Sequence, residues 1–195
     1  SDEEKSVLYA LIASHSKVSF HFFAKHVLGF DLLTEFTHKR WCEDLQFALR
    51  ENRHRMMRLK PRKTFKSSIY GISFILWVWA CLSPQIRIFY TSSSNLLIEE
   101  VADALNGFIG TDKDETLYSA IFGITKDIKS KNTGDVFNIE GRSGKGFSLI
   151  LRTSGGSTTG IHPNLIIVDD AVGQKDRTSQ AERDEKEKWF DTLNP

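Results

Sequence analysis

"RLKPRKTFKSSIYG" (residues 58–71) is the most informative stretch of this 195-residue chain. A basic segment reaches Pro61, a short turn follows, and Lys-Ser-Ser leads into an apolar run. A phosphate-binding loop has this layout, because the start of a helix attracts anions, a lysine reaches the phosphates and a hydroxyl holds Mg²⁺. Such loops usually carry glycine where this chain has Pro61 and Phe65. The stretch alone leaves a nucleotide site and a chance resemblance in a basic turn both open.

A second chemistry-bearing stretch is "NLIIVDD" (residues 164–170), an apolar run that ends in two acids. Phosphoryl-transfer enzymes place one acid at a strand end to hold Mg²⁺, and the next acid orients or deprotonates the attacking water. Two acids at a strand end also commonly begin a turn. Together the two stretches predict a site in which Lys66 contacts phosphate, Ser67 and Asp169 hold Mg²⁺, and Asp170 acts on the water.

The pattern of apolar residues predicts alternating helices and strands. Helices are expected within residues 1–30, 34–52, 67–82, 95–109 and 178–193, and strands at 55–60, 86–92, 136–140, 147–153 and 164–170. The 34–52 helix is expected to stack Phe36, Trp41, Leu45 and Leu49 near one face. This order predicts an α/β fold, with a mainly parallel central sheet covered by helices on both faces.

Two further features of the organisation follow from the sequence. Residues 136–140 and 147–153 predict a β-hairpin, and "GRSGKG" between them indicates a turn with glycine at positive φ, not a second phosphate loop. An N-terminal helical segment (residues 1–55) is expected to pack on a core domain (residues 56–195).

Composition excludes few classes of protein. Hydrophobic residues make up 40%, charged residues 26%, and the net charge is +1, so nothing indicates a polycation that binds nucleic acid through overall charge. The longest apolar run is shorter than the ~20 residues of a membrane helix. Cys42 and Cys81 indicate reduced core residues of an intracellular protein, and no histidine or cysteine spacing predicts a structural metal.

Three stretches taken in order, "LKPRKTFKSS", "IFYTSSSNLLIEEVADAL" and "GIHPNLIIVDDAV", resemble the ATPase domain of the large terminase subunit of tailed bacteriophages. That subunit is the motor that packages DNA into procapsids. The family's loop commonly reads Pro-Arg-x-x-Gly-Lys-Ser, so Pro61, Arg62, Lys66 and Ser67 match and Phe65 departs. We therefore expect Phe65 to have an unusual backbone conformation, with its ring turned away from the phosphates. The resemblance covers roughly residues 20–195 and implies a RecA-like (ASCE) P-loop NTPase fold.

The resemblance also implies roles for particular residues. Lys66, Asp170 and Arg62 would be catalytic, with Arg62 pointing at the γ-phosphate unless it is a surface cation. ATP would contact the loop residues Pro61, Arg62, Lys63, Thr64, Phe65, Lys66, Ser67 and Ser68. On the adenine side the expected residues are Phe36, His38 and Trp41, for which core packing stays open. The serines at 92–94 would sense nucleotide or couple to DNA, unless they only cap a helix. An arginine acting on a neighbouring subunit would be Arg142, Arg152 or Arg177.

The function implied is Mg²⁺-dependent ATP hydrolysis that drives double-stranded DNA into a procapsid, by a homo-oligomeric ring on a portal protein with a small terminase subunit. The protein would act in the host cytoplasm, transiently docked on the procapsid, and would have no membrane partner. The family's C-terminal nuclease domain is expected to be absent from this chain, and with it DNA cleavage. Two alternatives stay open: a helicase-like ASCE ATPase, and a nucleotide-binding assembly module with little or no hydrolysis.

Overall fold

The computed structural model describes residues 1–53, 55–61, 63–111, 113–129, 135–143, 146–156, 160–170 and 178–193. In this part of the chain the fold is α/β, built on an open, mixed sheet of four strands. The strands are β1 (Ile88–Ser92), β2 (Val136–Phe137), β3 (Leu149–Thr153) and β4 (Leu165–Asp169). Their spatial order is β2-β3-β1-β4.

Strand β1 lies in the middle of the parallel part of the sheet. It pairs in parallel with β3 and β4, whereas β2 is antiparallel to β3. The register sets Ser92 at the end of β1 beside Thr153 on one side and Asp169 on the other. The carboxyl ends of three parallel strands therefore meet at one edge, where ligands commonly bind in open α/β sheets.

Helices precede the sheet, connect its strands and follow it. They are α1 (Asp2–Val18), α2 (Phe20–Phe22, extended by π-helical Phe23–Val27), α3 (His38–Arg50), α5 (Asn95–Phe108), α6 (Leu117–Phe122) and α7 (Gln180–Thr192). Helix α4 lies between α3 and β1 and consists of π-helical Ser68–Ser73, α-helical Phe74–Trp77 and π-helical Val78–Leu82. It is apolar over most of its surface, as expected of a helix that is buried on several sides.

The two faces of the sheet follow from the alternation of side chains along β1. Ile88 and Tyr90 point into the large core, which α4, α5 and the N-terminal helices complete. Phe89 points to the opposite face, where it packs with Ile150 of β3 and Trp189 of α7. Helices thus cover both faces, and the large core also contains side chains from α1–α3.

Two predicted features of the N-terminal part are wrong. Residues 55–60 form no strand, and Met57 and Leu59 are 81% and 84% exposed. Phe36 precedes α3 and is 85% exposed, whereas Trp41 and Leu45 of that helix are buried as expected. The strand prediction rested on a local pattern, but a strand also needs a neighbour for its backbone, which a local pattern cannot provide.

The predicted hairpin is confirmed, with a first strand that is shorter than expected. Gly141 and Gly146, which flank its turn, have φ values of 75° and 110°, in the region that favours glycine. The residues between them that are not described include Gly144 and Lys145. The domain boundary near residue 55 stays a prediction. No helix in the described ranges is long and apolar enough to cross a membrane.

Candidate nucleotide-binding site

An ion pair joins the two stretches that the sequence singles out. Lys66 Nζ lies 2.7 Å from Asp169 Oδ1, although the two residues are far apart in the chain. The carboxylate is only 6% exposed and the lysine 30%. The contact joins the start of α4 to the end of β4, and removing one partner would leave a nearly buried charge uncompensated.

The second oxygen of Asp169 has a different partner. The hydroxyl of Tyr90, a fully buried residue of β1, donates a hydrogen bond to Asp169 Oδ2 at 3.1 Å. Burial first, and then the neighbouring Asp169 carboxylate, raise the pKa of Tyr90 well above its usual value, so the phenol keeps its proton. The Asp169 carboxylate is thus held from two sides, by a cation and by a neutral donor.

A cleft of about 490 Å³ is lined by the lysine of this ion pair. Its lining combines the loop before α4, one residue of α5 and the end of β4: Lys60, Pro61, Lys63, Thr64, Phe65, Lys66, Ser67, Ser68, Leu97 and Asp170. The volume is in the range of small-molecule sites. Three lysines and the start of a helix make the loop side of the cleft suited to an anion.

The backbone around the cleft is unusually strained. Lys63, Phe65 and Asp170 have φ values of 60°, 58° and 49°, which residues with a Cβ rarely adopt. Asn52 is the one other non-glycine residue of this kind in the described ranges. Such conformations cost of order 1–3 kcal/mol each and concentrate at functional sites. The strain supports a functional reading of the cleft.

Phe65 stands where a phosphate loop usually has glycine, and its conformation is the left-handed one that glycine would supply. Its ring is half-buried and meets the ring of His38 edge-on, with centroids 5.7 Å apart. This contact directs the ring towards the N-terminal helices, as the sequence leads one to expect. The backbone of the loop can therefore follow the course of a phosphate loop without the glycine.

The residues expected on the adenine side differ in their surroundings, although the rings of His38 and Trp41 meet edge-on with their centroids 5.1 Å apart. Phe36 is exposed, whereas His38 and Trp41 are buried. His38 Nδ1 accepts a hydrogen bond from the backbone N–H of Thr34 at 2.8 Å. Lys60 Nζ lies 4.5 Å from the centre of the Trp41 ring, so a cation already occupies a face of that ring. These contacts give His38 and Trp41 a packing role, and adenine recognition stays a prediction.

The donors predicted for Mg²⁺ fit that ion chemically. Ser67 lines the cleft at the start of α4, and within the described residues its hydroxyl makes no helix-capping bond. Asp169 offers a carboxylate whose Oδ1 contacts the ammonium group of Lys66. Mg²⁺ prefers oxygen ligands and takes one or two from a protein while waters and phosphates complete its shell. The described ranges contain no group of three or more His, Cys, Asp or Glu side chains that could hold a metal by themselves.

The remaining predicted residues are placed only in part. Arg62 and Arg177 lie outside the described residues. Arg142 is half-buried near Arg87, and desolvation, followed by the charge of Arg87, lowers its pKa. Arg152 is in β3. The arginine that would act on a neighbouring subunit stays a prediction.

The serine run after β1 lies close to the double acid. Ser92 ends β1 beside Asp169, and in the described part of the chain its buried hydroxyl has no hydrogen-bond partner. The backbone N–H of Ser93 donates to the carbonyl of Asp170 at 3.2 Å. Ser94 precedes α5, but among the described residues its side chain makes no capping bond. The helix-cap reading is therefore weaker than the sequence suggested.

Sequence reasoning missed Lys60, Leu97 and Tyr90. Lys60 and Leu97 line the cleft, and neither was among the residues expected to contact the nucleotide. Tyr90 is two residues before the end of β1, so strand alternation places it on the same face as the last residue of that strand. Only the register between β1 and β4 shows that its hydroxyl meets Asp169.

No protein-family model matches the chain, and no curated protein sequence matches it significantly.

Proposed function

We propose that the chain is the Mg²⁺-dependent ATPase part of a viral DNA-packaging motor, with a RecA-like P-loop fold. The observation that carries the proposal is the 2.7 Å contact between Lys66 Nζ and Asp169 Oδ1. It brings the lysine of the loop to the acid of the strand, the two groups that a P-loop enzyme needs on either side of a metal-bound triphosphate.

In this proposal each group of the cleft has one task. Lys66 leaves the Asp169 carboxylate and neutralises the β- and γ-phosphates of ATP. Ser67 and Asp169 hold Mg²⁺, which when bound neutralises charge on the phosphate oxygens. Asp170, exposed at the mouth of the cleft, orients a water and accepts its proton. The water oxygen bonds to the γ-phosphorus, the bond to the bridging oxygen breaks, and ADP and phosphate leave.

The fold supports the proposal in its parallel part. Strands β3, β1 and β4 are parallel, helices cover both faces, and Asp170, the residue after β4, lines the cleft. The missing strand at residues 55–60 departs from the P-loop pattern, in which a strand leads into the loop. The RecA-like assignment therefore rests on the site and on the resemblance to the terminase family.

Hydrolysis is tested by measuring ATP binding and phosphate release separately. Lys66→Ala should lose both, whereas Asp170→Asn should still bind ATP and release phosphate about 10²–10⁴-fold more slowly, the usual contribution of a general base. Lys113→Ala and Asp103→Asn remove exposed charges outside the cleft and should behave as wild type. Equal phosphate release by wild type and Asp170→Asn would contradict hydrolysis at this site.

The alternative of a nucleotide-binding assembly module is favoured by one observation, the aromatic residue Phe65 in the cradle. It predicts ATP binding that Lys66→Ala abolishes, together with phosphate release that neither variant changes. The same two measurements thus separate it from the motor.

Double-stranded DNA is the substrate that the terminase resemblance supplies. Contacts to the DNA backbone would be independent of sequence, and affinity should fall steeply as salt rises. Phosphate release should increase on adding duplexes of unrelated sequence. Strand separation of a forked duplex, without translocation on blunt DNA, would favour the helicase-like alternative.

A further inference from the structure

Tyr90 is a polar residue in a place where the core needs only an aromatic ring. Its side chain is fully buried between β1 and α4, and a phenylalanine would fill nearly the same volume. A buried hydroxyl without a partner costs free energy, so the phenol belongs here only because Asp169 Oδ2 receives its hydrogen bond.

The two oxygens of Asp169 are thereby made different. Oδ2 receives the hydrogen bond of the buried Tyr90, whereas Oδ1 contacts Lys66, a residue that lines the cleft. If the ammonium of Lys66 moves to a phosphate, the hydrogen bond from Tyr90 remains and Oδ1 keeps its orientation. The carboxylate then needs no reorientation before it can bind a metal ion.

Helix α4 approaches the ring of Tyr90 at Gly71. A Cβ atom added to Gly71 would lie 3.2 Å from Cε2 of Tyr90, closer than most real contacts. The helix that begins at the Lys66 loop therefore rests directly on this ring. Tyr90 contacts both parts of the site, the helix by its ring and the strand by its hydroxyl.

We propose that Tyr90 is a positioning residue, which fixes the Asp169 carboxylate so that Oδ1 serves Lys66 in the nucleotide-free protein and Mg²⁺ in the nucleotide complex. The second half of this inference rests on the proposed function, and the first half does not. Tyr90 acts through Asp169 and contacts no substrate.

The first part of the inference, that Tyr90 positions Asp169 for Lys66 in the nucleotide-free protein, is tested with Tyr90→Phe. This substitution removes the hydroxyl and keeps the ring. Tyr118→Phe is the matched control, because Tyr118 is also buried in the large core and its hydroxyl donates to the carbonyl of Leu76 at 2.9 Å. Each of the two tyrosine substitutions is combined with Lys66→Met in a double-mutant cycle, and the equilibrium constant for unfolding is measured for every variant.

Tyr90 and Lys66 should couple through Asp169, so that the double variant departs by about twofold or more from the product of the single changes. Tyr118 and Lys66 should be independent. Independence of Tyr90 and Lys66 would overturn the proposal, whether or not the protein binds nucleotide. If Tyr90 and Lys66 are coupled but the protein does not bind ATP, the positioning role of Tyr90 stands and the proposed function is refuted.

The second part of the inference, that Tyr90 positions Asp169 for Mg²⁺ in the nucleotide complex, is tested by titrating Mg²⁺ in the phosphate-release assay at saturating ATP. Tyr90→Phe should lower kcat and raise the Mg²⁺ concentration for half-maximal rate, together by about tenfold or more, the usual effect of losing a hydrogen bond to a charged group. The KM for ATP should change much less, and Tyr118→Phe should change neither quantity. An unaltered Mg²⁺ dependence in an active Tyr90→Phe variant would overturn this half.

Discussion

The left-handed conformation of Phe65 makes a prediction that reverses a common rule of stability. At ordinary backbone angles glycine destabilises a protein by roughly 0.5–1 kcal/mol relative to alanine, since it loses more freedom on folding. At a φ of 58° the Cβ of alanine itself is strained, by about 1–2 kcal/mol. The second effect is larger, so Phe65→Gly should be more stable than Phe65→Ala by about 1 kcal/mol.

The comparison removes the contribution of the ring. Both variants lose the half-buried phenyl group and its edge contact with His38, which costs each of them about 2 kcal/mol, half the loss for a fully buried phenylalanine. The difference between the variants therefore reports the backbone alone.

Ser83 provides the matched control position. It is half-buried and has extended backbone at a φ of −165°, and its Oγ accepts a hydrogen bond from the backbone N–H of Gln85 that both substitutions remove. There the usual order should hold, with Ser83→Ala more stable than Ser83→Gly. The free energy of unfolding is measured by urea denaturation, followed by tryptophan fluorescence. If Phe65→Ala equals or exceeds Phe65→Gly in stability, the left-handed strain at this loop is refuted.

Two further predictions follow from buried titratable groups. Burial lowers the pKa of His21 despite the opposing effect of Glu35, so the unfolded chain protonates first and stability is lost as pH falls below the ordinary histidine pKa of about 6.5. Thermal denaturation from pH 7.5 to 5.5 should show a smaller loss in His21→Asn than in wild type, and equal losses would contradict this. Burial also raises the pKa of Cys42 to about 12, and its side chain is fully buried. A thiol reagent should therefore modify Cys42 at pH 8 only after denaturation, with Cys42→Ala as the control, and rapid labelling of the native protein would contradict it.

The sequence was most informative where one local pattern decides the structure. The apolar run ending at Asp169 could be identified as a strand, and the hairpin could be identified from its glycine-containing turn. Both signals are complete within a short window of residues. The positive φ of Phe65 was also predictable, because the loop pattern requires a left-handed residue at that position.

The features that failed depend on residues distant in the chain. The strand expected at residues 55–60 has suitable residues, but no strand in the described part of the protein pairs with it. The role of Tyr90 depends on the register between β1 and β4, which the composition of either strand leaves undetermined. The burial of Trp41 was expected from the pattern of α3, but its contact with Lys60 could not be predicted from that pattern.

The position of the strain relative to the ion pair argues that the cleft was shaped for more than folding. Phe65 immediately precedes Lys66, and Asp170 immediately follows Asp169, so each partner has a left-handed neighbour. A residue in this conformation turns the chain sharply, and here the turns lie where the helix begins and where the strand ends. A buried ion pair seldom stabilises a fold more than apolar residues of the same volume would. Two strained residues beside a contact of low structural value therefore support the proposal that Lys66 and Asp169 serve a ligand and not only the fold.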